Sequence, residues 1–417
     1  MHNQNVWSGQ KLGLAIVALT LILVSCAWAA TETVIYSFGA DSGGYWPLAG
    51  LTFDGSGNLY GTAAFGQGAK KCGTECGMVF ELTPANGGGW TETVLHTFSG
   101  SDGSVPTAGV VFDKAGNLYG TTSQGGAHNL GVVFELTPNS GGGWTEKVLH
   151  SFTGGYDGEL PSSGVTIDAA GNLYGTAEFG GAHFEGVAYE LTPTSTGWKH
   201  KVLHSFGKEG KRPYGGLLLD ATGNLYGTTS GGGSIKGAGV VFELTPNASG
   251  VWNEIVLYEF QGGRNGGKDG RNPRAGLILD GQGNLYGSTL LGGTRHRGRG
   301  IIFKLTPSSQ GMWKSSVLHY GGRNGGYSYV SALVFDAAGN LYGTAVSGGG
   351  QDRGVVFRLT PTTSGFWKEQ VLNSFGGGSD GASPQAALVW DGVGNLYSTT
   401  FQGGGSYDGG TVFKITP

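Results

Sequence analysis

Short apolar runs alternate with polar, glycine-rich turns along nearly the whole chain. One period holds four such runs, at residues 109–113 (GVVFD), 117–122 (NLYGTT), 131–138 (GVVFELTP) and 144–152 (WTEKVLHSF). Valine, threonine and aromatic residues are frequent in them, and each run has the length of a strand rather than of a helix. The proline that closes the third run cannot continue a hydrogen-bonded ladder, so it ends that strand. The pattern predicts four antiparallel strands per period, which we call A, B, C and D.

This period occurs seven times. The motif G-N-L-Y-G, which reads GNLYS in the last copy, recurs at Asn58, Asn117, Asn172, Asn224, Asn284, Asn340 and Asn395. Strand A is joined to strand B by D-x-x-G-N in every copy. Aspartate suits the first position of a type I turn, and glycine can adopt the left-handed conformation that closes such a hairpin. Seven repeats of four antiparallel strands predict an all-β protein, a seven-bladed β-propeller.

The two ends of the chain predict how the ring closes. The last repeat stops after strand C, at residues 411–417 (TVFKITP), whereas residues 31–38 (TETVIYSF) match strand D at residues 91–98 (TETVLHTF). We therefore expect the N-terminal strand to join the last blade as its outer strand. Such closure removes the open edge that a linear array would expose. Residues 30–417 are accordingly predicted to form a single domain.

Composition supports this fold and excludes several other classes. Of the 417 residues, 85 are glycine and only 13 are proline, and glycine does not recur at every third position, which excludes collagen. Glycine costs about 1 kcal/mol at each helix-interior position, so a helical bundle is excluded as well. The 20 phenylalanines, 17 tyrosines and 10 tryptophans need a buried core, which a disordered chain does not form.

The first 29 residues have the pattern of a secretory signal peptide. Residues 12–24 form an apolar run that is too short to span a bilayer comfortably, and residues 27–29 (AWA) match an A-x-A cleavage pattern. Residues 23–26 (LVSC) also resemble a bacterial lipobox, in which Cys26 would be lipidated. Both alternatives place the mature protein outside the cytoplasm, either secreted or in the periplasm or at the cell surface. We expect no transmembrane span in the mature chain.

The repeated motifs resemble those of a known family. The order F-D-x-x-G-N-L-Y-G-T-T, then G-V-V-F-E-L-T-P, then V-L-H-S-F is similar to the GloVer tandem repeat of "choice-of-anchor" bacterial surface proteins. It resembles NHL-type propeller repeats more distantly. The resemblance to the GloVer repeat covers residues 31–417. It implies an exported repeat protein, without assigned catalytic residues.

Few residues of the repeat suggest catalysis. Strand D carries histidine at one position in four copies but tyrosine or asparagine in the other three, which is typical of a structural position. His128 and His183 occupy matching loops, and no third metal ligand is evident beside them. Strand A begins with small residues, so it offers no acid, base or nucleophile to the channel that it should line. We predict no catalytic residue, no metal site and no cofactor.

Two cysteines lie close together after the signal peptide. Cys72 and Cys76 enclose only Gly73, Thr74 and Glu75. In an oxidising compartment such a pair is most simply a disulfide, and its short loop limits its role to local shaping. We predict that Cys72 and Cys76 are bonded to each other.

Charged residues divide one face of the predicted propeller. The connections from strand D to strand A and from strand B to strand C should emerge on the same face. In blades 4 to 6 the charged residues of these connections are mostly arginine and lysine. Arginine presents a planar fork that suits carboxylate or phosphate groups. The two loops of blade 5 predict an anion-binding site at Arg264, Lys268, Arg271, Arg274, Arg295, Arg297 and Arg299. Loops that are charged only for solubility are the alternative interpretation.

Two functions follow from these features. The first is a non-catalytic binding or scaffolding propeller at the cell exterior, whose partner is an acidic polysaccharide, an envelope component or a protein. The second is a secreted polysaccharide hydrolase or lyase whose catalytic carboxylates the sequence does not locate. We expect a monomer and no nucleic-acid partner.

Overall fold

Seven four-stranded antiparallel sheets with the strand order A-B-C-D make up the molecule, which is a seven-bladed β-propeller. The computed structural model describes residues 30–39, 44–66, 76–234, 237–262, 269–293, 298–308, 311–322 and 325–417. The predicted fold class and strand number per blade are confirmed. We number the blades in chain order from the first strand A, so blade 7 combines the last three strands of the chain with the N-terminal strand.

Strands A and B form the inner half of each blade. Strand A is a two-residue ladder at Thr52–Phe53, Val111–Phe112, Thr166–Ile167, Leu218–Leu219, Ile278–Leu279, Val334–Phe335 and Val389–Trp390. Strand B is almost entirely buried and lies at Leu59–Ala63, Leu118–Thr122, Leu173–Ala177, Leu225–Gly231, Leu285–Ser288, Leu341–Ala345 and Leu396–Thr400.

Strands C and D form the outer half. Strand C lies at Met78–Pro84, Val132–Pro138, Val187–Thr194, Val240–Pro246, Ile301–Pro307, Val355–Pro361 and Thr411–Thr416. Strand D lies at Trp90–Thr97, Trp144–Ser151, Gly197–Ser205, Trp252–Glu259, Trp313–Tyr320, Trp367–Ser374 and, for blade 7, Thr31–Ser37. Short additional strands occur in the connections at Gly44–Tyr45, Phe65–Gly66, Lys211–Pro213, Gly326–Tyr327 and Ser347–Gly348, and one 3-10 turn lies at Gly155–Asp157.

The N-terminal strand closes the ring as predicted. Thr31 pairs with Thr416 and Ser37 pairs with Thr411 in an antiparallel register. A bulge between Val34 and Tyr36 interrupts this register, and the other blades carry a bulge at the equivalent step between strands C and D. Blade 7 is therefore built like the other six, although its strands come from opposite ends of the chain.

Pairs of aromatic rings hold neighbouring blades together. The phenylalanine after strand D of one blade packs edge-on against the strand C aromatic of the next, as Phe98 does against Phe134 with ring centroids 5.1 Å apart. Blade 5 has Gly321 at this position, and there Tyr329 supplies the ring, 5.4 Å from Phe357. Tyr329 stands where the other blades have a proline, so one substitution in the repeat compensates for the other.

The D-x-x-G-N turn is fixed by its aspartate. In blade 1, Asp54 Oδ1 accepts the backbone N–H groups of Ser56 at 2.8 Å and Asn58 at 2.9 Å. Asp54 Oδ2 accepts hydrogen bonds from the Asn58 side chain at 2.8 Å and from the Tyr60 hydroxyl at 3.3 Å. The recurring residues of the turn and the tyrosine of strand B are thus one hydrogen-bonded unit, which explains why they occur together in the repeat.

Acidification from pH 8 to pH 5.5 is expected to raise the melting temperature, and Glu32→Gln should remove part of this gain. Burial, together with repulsion from Asp380, raises the pKa of Glu32 from 4.5 to about 7 on the closing strand. A carboxyl group whose pKa is higher in the folded state contributes stability below its unfolded pKa and loses that contribution as pH rises through the folded value.

Thermal unfolding of the wild type, Glu32→Gln and Asp380→Asn at both pH values measures this effect. Asp380→Asn should reduce the pH dependence more weakly, because burial is the larger cause of the shift. An identical pH dependence in the wild type and Glu32→Gln would contradict the prediction.

Candidate functional site

Seven left-handed residues precede the strand A segments on one face of the propeller. We call this the top face, and it is formed by the D-to-A and B-to-C connections. The seven residues have φ between 52° and 59°: Trp46, Val105, Leu160, Arg212, Asn272, Ser328 and Ser383. Each such backbone costs about 1–2 kcal/mol. Hydrogen bonds to the preceding blade offset this cost, as from Arg212 N–H to Glu185 O at 2.7 Å.

The central channel opens between these residues. A cavity of about 420 Å³ lies there, and small residues from strand A form much of its wall. The predicted lining is confirmed for Ala49, Gly50, Ala108, Gly109, Ser163, Gly164, Gly215, Gly216, Gly276, Ser331, Ala332, Ala386 and Ala387. Adjacent strands approach so closely that a Cβ on Gly109 would lie 2.6 Å from Gly50 O. Among the described lining residues there is no carboxylate, and the charged side chain is that of Arg274.

Arg274 is held at the channel mouth by its neighbours. Its guanidinium carbon lies 5.0 Å from the centroid of the Tyr214 ring. Its Nε donates a hydrogen bond to Asn272 Oδ1 at 3.1 Å. Stacking on an aromatic ring leaves the guanidinium edge with unused donors, so Arg274 presents an oriented positive charge to the channel mouth.

A larger pocket of about 870 Å³ adjoins the channel mouth on the top face. Loops and strand ends of blades 3, 4 and 5 contribute its walls, and Arg274 belongs to both cavities. The charged side chains of the pocket are Glu185, Lys208, Glu209, Lys211, Arg212, Glu259 and Arg274. Four are cationic and three are acidic, so cationic side chains outnumber acidic ones by one.

Two of these acids are engaged within the pocket. Glu185 forms an ion pair with Lys211. Glu259 accepts hydrogen bonds from the backbone N–H of Ser234 at 3.0 Å and from its hydroxyl at 2.7 Å. Among the described residues, Lys208, Arg212 and Arg274 are the cations of the pocket that form no ion pair with a carboxylate.

Arg212 is oriented in the same way as Arg274. Its guanidinium carbon lies 5.1 Å from the centroid of the Phe179 ring. Neither Arg212 nor Arg274 forms a salt bridge with a carboxylate among the described residues. Both act on Glu178: burial raises the pKa of this carboxyl, and the two arginines oppose that rise. The two guanidinium groups thus both line the larger pocket, and both interact electrostatically with Glu178.

The structure describes three of the seven residues predicted to bind an anion. Arg264, Lys268, Arg295 and Arg297 lie outside the described residues, as do Cys26 and Cys72. The two loops of blade 5 do lie side by side, because Arg271 in one loop forms an isolated β-bridge with Leu291 in the other. A second β-bridge, between Gly292 and Arg299, lies within the B-to-C loop. Arg299 stacks on Tyr327 at 4.0 Å, whereas Arg274 faces the channel. Cys76 is fully buried, and its pairing with Cys72 stays a prediction.

Comparison with protein families identifies the repeat. The model of the Gloeobacter/Verrucomicrobia repeat matches residues 73–299 and 255–417, which together span most of the chain. The chain belongs to this family. The resemblance inferred from the motifs is confirmed, and no curated protein matches the chain.

Solved structures similar to this Gloeobacter/Verrucomicrobia repeat protein share its fold. A Bacteroides fragilis protein, provisionally called a 6-phosphogluconolactonase, is 13% identical over 88% of this chain and 99% of its own, with a TM-score of 0.52. PorZ, a surface component of the type-IX secretion system of Porphyromonas gingivalis, is 16% identical over 91% of this chain, with a TM-score of 0.50. The match covers 48% of PorZ, so the chain spans about half its length. At such low identities the similarity establishes the fold alone.

The sequence predicts an anion-binding site in the two loops of blade 5, and this predicted site does not include Arg212 or Lys211. The signal available was weak, because these residues share a loop with only one other lysine. What sets Arg212 apart from the equivalent residues of most other blades is its cationic side chain, which lies over the ring of Phe179. Within the described residues, the structure contains no helix with the length and apolar character needed to cross a bilayer.

The strand D histidines lie at the junctions between blades. Each has a carboxylate partner, at 3.1 Å for His96 and Asp102, 3.2 Å for His150 and Asp157, 3.4 Å for His204 and Glu254, and 3.5 Å for His319 and Glu369. Tyr36 and Tyr258 donate to carboxylates at the equivalent places. The interpretation of this position as a polar structural site is consistent with these contacts, although the sequence did not indicate the partners.

Proposed function

We propose that this protein is a non-catalytic binding propeller of the cell exterior, and that its top face binds an acidic polysaccharide. The pocket at blades 3 to 5 carries the proposal. It combines a volume of about 870 Å³ with two guanidinium groups that are already oriented by aromatic rings. The exterior location rests on the predicted signal peptide.

The chemistry of the pocket favours carboxylates spaced along a polymer. Arginine forms paired, charge-assisted hydrogen bonds with planar anions, and its stacking on a ring removes part of the entropy cost of binding. Arg212 and Arg274 belong to the loops that precede blades 4 and 5 and line one pocket, so each guanidinium would take one carboxylate of the polymer. A neutral polysaccharide would leave both charges without a partner.

Binding of polygalacturonate, measured by calorimetry at two salt concentrations, tests the proposal. The double variant Arg212→Gln/Arg274→Gln is expected to bind at least about tenfold more weakly, because a hydrogen bond to a charged group contributes about 1.5–3 kcal/mol. Its affinity should also depend less on salt, since fewer charges remain to be screened.

A matched control removes the same charge elsewhere. Lys147→Gln/Lys199→Gln changes two exposed cations on outer strands and should bind like the wild type. A triple variant, Arg271→Ser/Arg295→Ser/Arg297→Ser, measures the contribution of the blade 5 loops. Equal affinity of the wild type and the Arg212/Arg274 variant, or equal binding of neutral galactan, would contradict the proposed site.

A further inference from the structure

Two blade junctions bring one imidazole and two carboxylates together. Between blades 3 and 4, the ligand atoms of His204, Glu209 and Glu254 all lie within 4.8 Å of one another. The histidine ends strand D of blade 3, Glu209 follows it in the loop, and Glu254 comes from strand D of blade 4. Between blades 1 and 2, the positions equivalent to these hold a second cluster within the same limit, formed by His96, Asp102 and Glu146.

Glu254 is a buried carboxylate without sufficient partners. Its side chain is 9% exposed, and its Oε1 has no hydrogen-bond partner among the residues that the structure describes. The Nε2 atom of His204 likewise lacks a hydrogen bond within that part of the chain. A buried polar atom that makes no hydrogen bond destabilises the folded state, and a charged one does so more strongly. A cation between them would satisfy both.

The spacing fits a metal ion better than a direct hydrogen bond. His204 Nε2 and Glu254 Oε2 are 3.4 Å apart. Two ligands bound to zinc at about 2.0–2.1 Å in a tetrahedral arrangement are separated by about 3.3 Å. The pair therefore stands at the distance expected of two ligands of one zinc ion, and a ligand atom of Glu209 lies within 4.8 Å of those of both residues.

A second imidazole, that of His183, lies beside this cluster. A Cβ placed on Gly207 would be 3.1 Å from His183 Cδ2 and 3.2 Å from Glu209 Oε1, so these two side chains meet over the same glycine. His183 comes from the B-to-C loop of blade 3. From the sequence alone His183 had no partner ligand, and the fold brings its side chain next to that of Glu209.

The second cluster shows the outer contacts that orient metal ligands in proteins. Asp102 Oδ1 accepts hydrogen bonds from the backbone N–H of Ser99 at 2.7 Å and from its hydroxyl at 2.9 Å. This arrangement turns Oδ2 toward His96, from which it is 3.1 Å. In metal sites, hydrogen bonds from neighbouring groups to a ligating side chain hold its ligand atom in position.

We propose that His204, Glu209 and Glu254, with His183 beside them, bind a zinc ion, and that His96, Asp102 and Glu146 bind a second one. Imidazole nitrogen and carboxylate oxygen are both regular zinc ligands. Each ion would connect strand D of one blade to strand D of the next and would stabilise the ring by mass action. Glu209 also lines the anion pocket, whereas His204, Glu254 and the whole second cluster lie outside it.

Other junctions provide matched controls. His150 stacks flat against His200 at 4.1 Å, so the two rings do not converge on one point. At the junction of blades 5 and 6, Glu369 faces His319 as Glu254 faces His204, but its Oε1 accepts the backbone N–H of Gly326 at 3.0 Å. Glu369→Gln therefore alters the equivalent carboxylate at a junction where that oxygen already has a partner.

Calorimetric titration of the untagged mature protein with zinc chloride, after removal of metals by a chelator, tests the proposal. The wild type and Glu369→Gln should bind two zinc ions per chain, Glu254→Gln and Glu146→Gln one each, and the double variant none. Zinc should raise the melting temperature of the wild type and leave that of the double variant unchanged. Cobalt at the blade 3–4 site should give the intense visible absorption of tetrahedral coordination, and Glu254→Gln should abolish it.

Two results would overturn the proposal. One is the failure of the wild type to bind zinc. In that case the carboxyl groups of Glu254 and Glu146 are neutralised by protonation and not by a metal ion. The other is zinc binding that persists in the Glu254→Gln/Glu146→Gln variant, which would place the ions elsewhere. A glutamine variant that melts at or above the wild-type temperature without metal shows that loss of zinc binding is not loss of folding.

Discussion

Removal of residues 30–38 from the mature chain is expected to lower the free energy of unfolding by more than any single substitution outside the core. These residues include strand D of blade 7, and their loss leaves strand C, Thr411–Thr416, as an unpaired edge. It also removes Phe38, which is 1% exposed and packs against Phe80 of blade 1 with ring centroids 5.2 Å apart. An exposed edge strand favours association between chains, so the shortened protein should also aggregate more readily.

Urea and thermal unfolding of residues 30–417 and 39–417 measure this effect. Because the shortened chain could fail to fold, Phe38→Ala in the intact chain provides a second measurement, with an expected loss of about 3–5 kcal/mol. Thr33→Ala changes an exposed residue of the same strand and should alter stability by less than about 0.5 kcal/mol. A shortened protein that melts at the wild-type temperature would show that the N-terminal strand does not lock the ring.

Gly131→Ala is expected to destabilise the protein by about 2–5 kcal/mol. Gly131 directly precedes strand C of blade 2 and has φ of +100°. A Cβ at this position would lie 2.5 Å from Pro161 Cδ and 2.5 Å from Thr122 O. The substitution therefore combines an unfavourable backbone conformation with a clash against the next blade. Glycines at the same place contact the corresponding proline in five other blades: Gly77, Gly186, Gly239, Gly354 and Gly410.

Gly143→Ala separates the two contributions. Gly143 lies in the same blade and has φ of +116°, but a Cβ there would have no atom within 4 Å. This control should lose only the conformational part, about 1–2 kcal/mol. Equilibrium unfolding of both variants under the same conditions gives the difference. If Gly131→Ala were no more destabilising than Gly143→Ala, close packing between glycine and proline would not hold the blades together.

The candidate site was only partly visible in the sequence. Counting charges in loops located a basic region and included Arg274, which lines both cavities of the top face. It could not identify Arg212 as its counterpart, because what distinguishes Arg212 is the Phe179 ring beside it, which comes from a different loop. Contacts between residues on different loops depend on the curvature of the ring, which no local pattern encodes.

The zinc clusters show the same limit more sharply. His204 and Glu254 are 3.4 Å apart in the structure, yet they stand fifty positions apart in the chain, each within an ordinary copy of the repeat. When the seven copies of the repeat are aligned, the position of His204 is occupied by histidine, tyrosine or asparagine, which is typical of a structural position. The proposed metal binding arises because this position of strand D meets a different position of strand D in the next blade.

The repeat pattern is enough to predict the strands, the number of strands in each blade and the closure of the ring. Strand length, turn residues and repeat period are local properties, and the surplus strand at one end matches the deficit at the other, so the repeat pattern alone predicts that Thr31–Ser37 pairs with Thr411–Thr416. Which side chains meet across blades depends instead on the three-dimensional packing of the ring. The blades pack by face-to-face contacts whose rotation and distance depend on all seven together, and these set the neighbours of Arg212, Gly131 and Glu254.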